Sequence, residues 1–447
     1  MSSNFTYAHL IVFAMSVTLK IESKYQQGQS HTLLNCSSEK ILKGLGDVCI
    51  TYSSVNQAFH QALSKTTVVP PDGDWEPEDI APLGEVLLDT AATLSQLYGL
   101  SRHDIWKSLP KLDVSKTAIA GYCPDYASPM TCVPGKYRRT DGLCNNLKNP
   151  TWGATRATFE RLLLPAYSDG IGSPKTQGHA GGYLPEPRHV SALLHKDEGF
   201  HDHAATLLLV AWGQFMDHDF TLTATPLDSL TRNEFEDCCH LPPALKHPLC
   251  MEINIPKDDA FYKLFNQDCM DFVRAFTGVR QDCKLGPRAP FNILPGVIDG
   301  NTVYGATEAH ANKIRSHVGG LLKGNHHFQH LGLKELMPAK TDVPEEGCTR
   351  FSQNQFCFEG GEIRVNENLI LTTIHTLMFR EHNRICTQLN EINPHWDDEK
   401  VYQETRRIVI AEIQHITYDE FLPQLLGSEV MTQYGLHLQK ESYLESY

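Results

Sequence analysis

The segment Trp212–Gly213–Gln214–Phe215–Met216–Asp217–His218–Asp219–Phe220 ends an otherwise apolar stretch with four polar side chains. Gln214 and His218 are four positions apart and so share one face of a helix, with Asp217 beside them. Burying such groups costs free energy unless something inside the protein satisfies them. A lone histidine there reads as a satisfied core residue, whereas four polar groups directed into a core point to a cofactor or an ion. Two further segments carry chemistry. Gly361–Glu362–Ile363–Arg364–Val365–Asn366–Glu367 sets a guanidinium between carboxylates, although Arg364 and Glu367 alone read as an exposed ion pair. Val297–Ile298–Asp299–Gly300–Asn301 carries a carboxylate and a side-chain amide around a glycine, and on its own Asp299–Gly300–Asn301 reads as a turn.

The elements that must position these residues are mostly helical. Ala204 to Phe220 is apolar on nearly every face, which predicts a helix buried on all sides. Asn368 predicts the cap of a helix reaching about Ile392, with Ile370, Ile374, Leu377, Ile385 and Leu389 inward, ended by Asn393–Pro394. Asp397 predicts a second cap, with Val401, Ile408, Ile413 and Ile416 inward and an end before Pro423. Strand alternation is scarce, so the fold class is mainly α with loop-rich, disulfide-containing segments. Residues 24–120 read as a separate region, with a turn at Pro70–Pro71–Asp72–Gly73 and helical spacing of Leu83, Val86, Leu87, Leu94 and Leu97.

The formal charge of −14 and the lack of long basic runs argue against a nucleic-acid partner. Thirteen cysteines without CxxC spacing point to disulfides in an oxidising compartment. Cys132 and Cys144 flank a short loop they can close, and the odd count leaves a free thiol, for which Cys386 in its helical pattern is the candidate. Residues 1–23 read as a possible signal peptide, because the apolar run His9 to Leu19 is too short to span a bilayer. Asn35–Cys36–Ser37 is a glycosylation sequon. The chain reads as secreted, with no membrane span.

The motif at 212–220 resembles the distal-helix motif of the animal haem peroxidases, the peroxidase–cyclooxygenase superfamily. Further segments resemble that family in order: 137–146 its entry segment, 297–305 its calcium loop, 361–367 its catalytic-arginine segment, and His375–Leu377 with Arg380–Arg384 the helix that follows. Leu97–Ser101 and the stretch to Cys123 resemble the pro-region of arthropod enzymes of the chorion-peroxidase or peroxinectin type.

The resemblance implies that His218 is the distal base, that Arg364 stabilises charge developing as the O–O bond breaks, and that Gln214 lines the cavity. It implies haem b, ester-linked through Asp217 and Glu367, and calcium held by Asp219, Val297, Asp299 and Asn301. The substrates implied are hydrogen peroxide and a halide, thiocyanate or phenolic reductant such as tyrosine. The chain departs from the pattern at Pro295, where a hydroxyl ligand is usual, and at Asn301, where serine is usual. It also departs at Glu362, which replaces aspartate, and at Leu369–Ile370, which lacks a proline. The family's proximal iron ligand is a later histidine, and none of His375, His382, His395, His415 or His437 stands in that motif. Residues 121–447 are therefore expected to be an incomplete peroxidase domain with no proximal ligand in this chain and uncovered apolar surface. Two alternatives stand beside it. One is a secreted, non-catalytic protein that binds calcium or an unidentified protein partner. The other is a zinc protein using His201, His203 or His326, His327 and His330, which lack a metal-binding framework.

Overall fold

The computed structural model describes residues 32–36, 47–196, 198–199, 201–227, 236–341, 348, 352 and 355–438. The possible signal peptide at 1–23 lies outside these residues, as does Ser37 of the sequon. Two small sheets are present, β1 (Thr32–Cys36) parallel to β2 (Asp47–Thr51), and β3 (Ile253–Asn254) antiparallel to β4 (Cys269–Met270). The rest of the regular structure is helical, as the sequence pattern predicts.

Thr51 caps α1 (Tyr52–Leu63) by accepting from the Ser54 amide at 3.1 Å. Helix α2 (Pro77–Tyr98) begins at Pro77 and stops at Gly99, whose φ of 61° a side chain would resist. Phe59 of α1 and Ile80, Leu83 and Leu94 of α2 are fully buried in one core with Ile105, Ile119, Leu285 and Phe291. The helices of the N-terminal region thus share a core with residues far along the chain. A disulfide, Cys123–Cys283, ties the same two parts together over a separation of 160 residues. A loop that long has a closure entropy worth on the order of 5 kcal/mol to the folded state.

A second core gathers the elements that bear the site. Short α3 (Pro187–Leu194) precedes α4 (Leu207–Phe220); then come α5 (Asn301–Tyr304), α6 (Glu308–Ile314), α7 (Leu369–Ile392), α8 (Asp398–His415) and α9 (Leu422–Gln433). Phe215, Tyr304, Leu371, Ile374, Val409 and Ile413 pack together there. The caps fall where the sequence puts them: Asn368 Oδ1 accepts from the amides of Ile370 and Leu371, and Asp397 accepts from Lys400.

Several expectations need correcting. Helix α4 is not buried all round: Leu207, Leu208 and Val210 are exposed, and burial begins at Ala211. Uniform apolarity reports what a helix tolerates, while burial depends on which neighbours pack against each turn. For the same reason Leu377 and Ile408, on the predicted inward stripes, are exposed. Helix α8 leads through a wide π-type turn at Ile416–Phe421 into α9, whose first turn holds Pro423.

Disulfides join Cys132–Cys144, Cys238–Cys250, Cys239–Cys269 and Cys348–Cys357, and Cys386 is a buried free thiol. The Cys132–Cys144 pairing and the free Cys386 match the sequence reading.

Gly361 is where the arginine-bearing segment crosses α5. A Cβ there would lie 2.4 Å from the Val303 carbonyl carbon and 2.6 Å from the Tyr304 nitrogen, both backbone atoms that cannot rotate away. Gly361→Ala should therefore cost ~3 kcal/mol in urea unfolding. Gly73→Ala, facing open space, should stay within about 0.5 kcal/mol. Equal effects at the two positions would show that this close approach does not constrain the fold.

Candidate active site

Helix α4 and the segment before α7 meet at His218 and Arg364. His218 is buried, with its Nδ1 3.5 Å from Glu362 Oε2 and its Nε2 3.7 Å from Glu367 Oε2. Neither contact is a hydrogen bond, and Nδ1 has no hydrogen-bond partner. Arg364 is fixed on three sides. Its Nε donates to Glu362 Oε1 at 2.7 Å, its amide donates to Glu362 Oε2 at 2.8 Å, and its Nη2 donates to the Thr221 carbonyl at 2.9 Å. Glu362 is almost wholly buried, so its guanidinium partner satisfies a charge that would otherwise be costly.

The His218 imidazole is held neutral, its pKa pushed down to about 4 by burial first and by the Arg364 charge second. Glu362 would oppose that shift, yet both its oxygens already bond Arg364 at under 3 Å, which leaves little of its charge for the ring. Burial also holds the Glu362 carboxyl above the usual range, against the pull of Arg364.

Gln214 lies one turn before His218. Its Nε2 donates to Glu367 Oε2 at 2.6 Å, and its Oε1 accepts from Asn368 Nδ2 at 2.8 Å. Asp217 is exposed on the same helix. The structure thus brings His218, Arg364, Gln214 and Glu367 together and leaves Asp217 on the rim of α4. Asn368, read from sequence only as a helix cap, also reaches Gln214. An asparagine cap, unlike aspartate, keeps N–H donors after its oxygen is used, and that is the signal to look for.

One residue after His218 a second cluster begins. Asp219 is fully buried and accepts from the amides of Asp299 (3.2 Å), Gly300 (3.3 Å) and Thr302 (3.1 Å), and from the Thr302 hydroxyl (3.3 Å). Asn301 Nδ2 donates to the Asp219 carbonyl at 2.6 Å and to Asp299 Oδ1 at 2.9 Å. Asp299 Oδ2 and Asn301 Oδ1 are buried with no partner. Burial raises the pKa of both carboxyls, and Asp299 raises that of Asp219 further. Val297 is half-buried, its side chain against Gly153. None of the histidines considered for zinc takes part in a metal-sized cluster among the described residues; the one such group is Asp237, His240 and Asp271 at the surface.

The sequence profile of the animal haem peroxidases matches residues 137–447. The chain belongs to the animal haem peroxidase family. Its similar relatives include the chorion peroxidase of Aedes aegypti, 38% identical over 328 residues covering 71% of this chain and 40% of that one. The peroxidasin homolog of Homo sapiens is 41% identical over 325 residues, 68% of this chain and 21% of that one. Myeloperoxidase of Mus musculus is 38% identical over 333 residues, 71% of this chain and 45% of that one. The chain spans less than half the length of each of these haem peroxidases. Among solved structures, peroxidase A from Dictyostelium discoideum aligns with a TM-score of 0.49 at 27% identity, covering 65% of this chain and 53% of that one.

In this haem peroxidase chain, His218 should titrate near pH 4 when its Cε1 proton is followed by NMR. Its folded pKa lies below the unfolded value of about 6.5, so the unfolded state binds the extra proton. His218 therefore costs stability progressively as pH falls from about 6.5 towards 4. Arg364→Leu should move the inflection upward, because it removes the guanidinium charge and releases Glu362, 3.5 Å from Nδ1, to favour the protonated ring. An inflection at 6.5 in the unaltered protein would contradict this account.

Proposed function

We propose that this chain forms the distal side of a haem peroxidase site that uses hydrogen peroxide to oxidise a small anion or a phenol. The observation that carries the reading is a buried, neutral His218 beside an Arg364 whose guanidinium is locked by buried Glu362. A neutral imidazole accepts a proton from peroxide and returns it to the departing oxygen. A permanently charged, immobile guanidinium stabilises the negative charge that develops as the O–O bond lengthens, with no reorganisation at the moment of reaction. Haem, when bound, supplies the iron at which peroxide is reduced and the oxidising equivalents passed to the second substrate. Asp217 and Glu367 are both exposed, so their carboxylates would be accessible for ester links to the haem periphery. The disulfides, five of them among the described residues, favour a secreted protein. No helix among the described residues is long and apolar enough to cross a membrane.

In the haem-loaded protein, peroxide-dependent phenol oxidation should fall by about 10²–10⁴-fold in His218→Ala. It should fall by roughly 10²–10³-fold in Arg364→Ala. Full retention of activity in both variants would refute the assignment. Calcium stabilisation together with no Soret band and no oxidation would favour the non-catalytic reading.

We also propose that Asp219, Asp299 and Asn301, with the Val297 carbonyl, hold calcium. Two buried carboxylates and two unpartnered oxygens form a donor set that suits a hard cation. Pro295 offers no hydroxyl, so the site has one protein ligand fewer than the family pattern. Calcium at one hundred times its dissociation constant should stabilise the protein by about 2.7 kcal/mol. Chelation should lower the melting temperature, and Asp299→Asn should abolish the calcium response; an unchanged response would exclude this site.

A further inference from the structure

We propose that Asn368 is a positioning residue that fixes the carboxamide of Gln214 in one orientation and so makes the site a hydrogen-bond donor towards anions and peroxide oxygens. The inference rests on the reading of Gln214 as a site residue. A free glutamine amide turns over readily, because its oxygen and nitrogen are nearly isosteric, and only partners of fixed polarity decide between the two orientations. Here both ends are fixed. Asn368 Oδ1 is committed to the backbone amides of Ile370 (3.1 Å) and Leu371 (2.9 Å), which can only donate. Asn368 therefore turns its NH₂ outward, and that group, 2.8 Å from Gln214, requires Oε1 as acceptor. At the other end, Gln214 Nε2 meets Glu367 Oε2 at 2.6 Å, an oxygen that accepts.

The polarity of the first turn of α7 is thus relayed through Asn368 and Gln214 to Glu367, whose Oε2 lies 3.7 Å from His218 Nε2. One N–H of Gln214 is used on Glu367. Its second N–H makes no hydrogen bond among the described residues and is the donor left for a ligand. With the opposite orientation, Gln214 would offer an acceptor and repel an anion.

Asn368→Asp and Asn368→Ser separate this role from capping. Both retain a good N-cap oxygen, so stability should change by less than twofold in the midpoint-derived folding constant. Serine lacks the carboxamide arm whose NH₂ reaches Gln214 Oε1, and aspartate has no donor and repels that oxygen. The readout is the side-chain ¹H–¹⁵N resonance pair of Gln214, assigned by its absence from Gln214→Glu. In both variants it should move towards the position of a solvent-exposed amide. In the haem-loaded protein, the apparent Kd for thiocyanate, followed by Soret perturbation, should rise about tenfold in Asn368→Asp, the equivalent of one oriented hydrogen bond. Unmoved Gln214 resonances in both variants would overturn the proposal. Moved resonances with an unchanged thiocyanate Kd would overturn its donor part. Moved resonances in a protein that never binds haem would uphold the positioning and refute the peroxidase reading instead.

Discussion

The buried Asp219 carboxylate accepts four hydrogen bonds from residues 299–302, and these tie the end of α4 to the turn that opens α5. His218 immediately precedes it. Gly361, pressed against the backbone of residues 301–304 on the other side of that turn, begins the segment that delivers Arg364 three residues later. The two groups at the centre of the site are therefore placed by a common pin. Leaving this carboxylate without its donors would cost more than most core contacts, because a buried, unsatisfied charge is among the most expensive defects a fold can hold.

Electrostatics within the site follow from the same economy of partners. Arg364 and Glu362 neutralise each other at hydrogen-bonding distance, which lets Glu362 be buried and Arg364 half-buried beside an imidazole without charging it. Burial then decides the protonation of His218. His375 lies behind it, edge-on to Phe215 with ring centroids 5.0 Å apart, and burial pushes its pKa down to about 3. His382, two helical turns further along α7, is taken up by the Tyr304 hydroxyl and the Gly320 carbonyl, at 2.9 Å each. His382 thus ties α7 to Tyr304 of α5, while Nε2 of His375 is buried with no hydrogen-bond partner.

Much of this was legible in the sequence because it depends on local chemistry. Asn368 and Asp397 cap the helices predicted for them, and the Cys132–Cys144 loop closes as its spacing suggests. The co-location of His218, Gln214, Arg364 and Glu367 followed from the ordered motifs. What was not legible is tertiary. The exposure of Leu207, Leu377 and Ile408 depends on which helices pack beside them, information a periodic pattern does not contain. The reach of Asn368 to Gln214 joins residues 154 positions apart, and the crossing at Gly361 requires two backbones to be seen together. The departure at Glu362 was visible, but its consequence was not. In the structure the longer side chain still grips both the amide and the guanidinium of Arg364.

Hydrogen exchange followed by mass spectrometry in Asp219→Asn tests the common pin most directly, since asparagine keeps the shape but removes one acceptor oxygen. The account predicts lost protection both at residues 299–302 and at residues 361–367, relative to the unaltered protein. Loss confined to residues 299–302, with the arginine segment as protected as before, would show that Arg364 is placed independently of Asp219 and would contradict it.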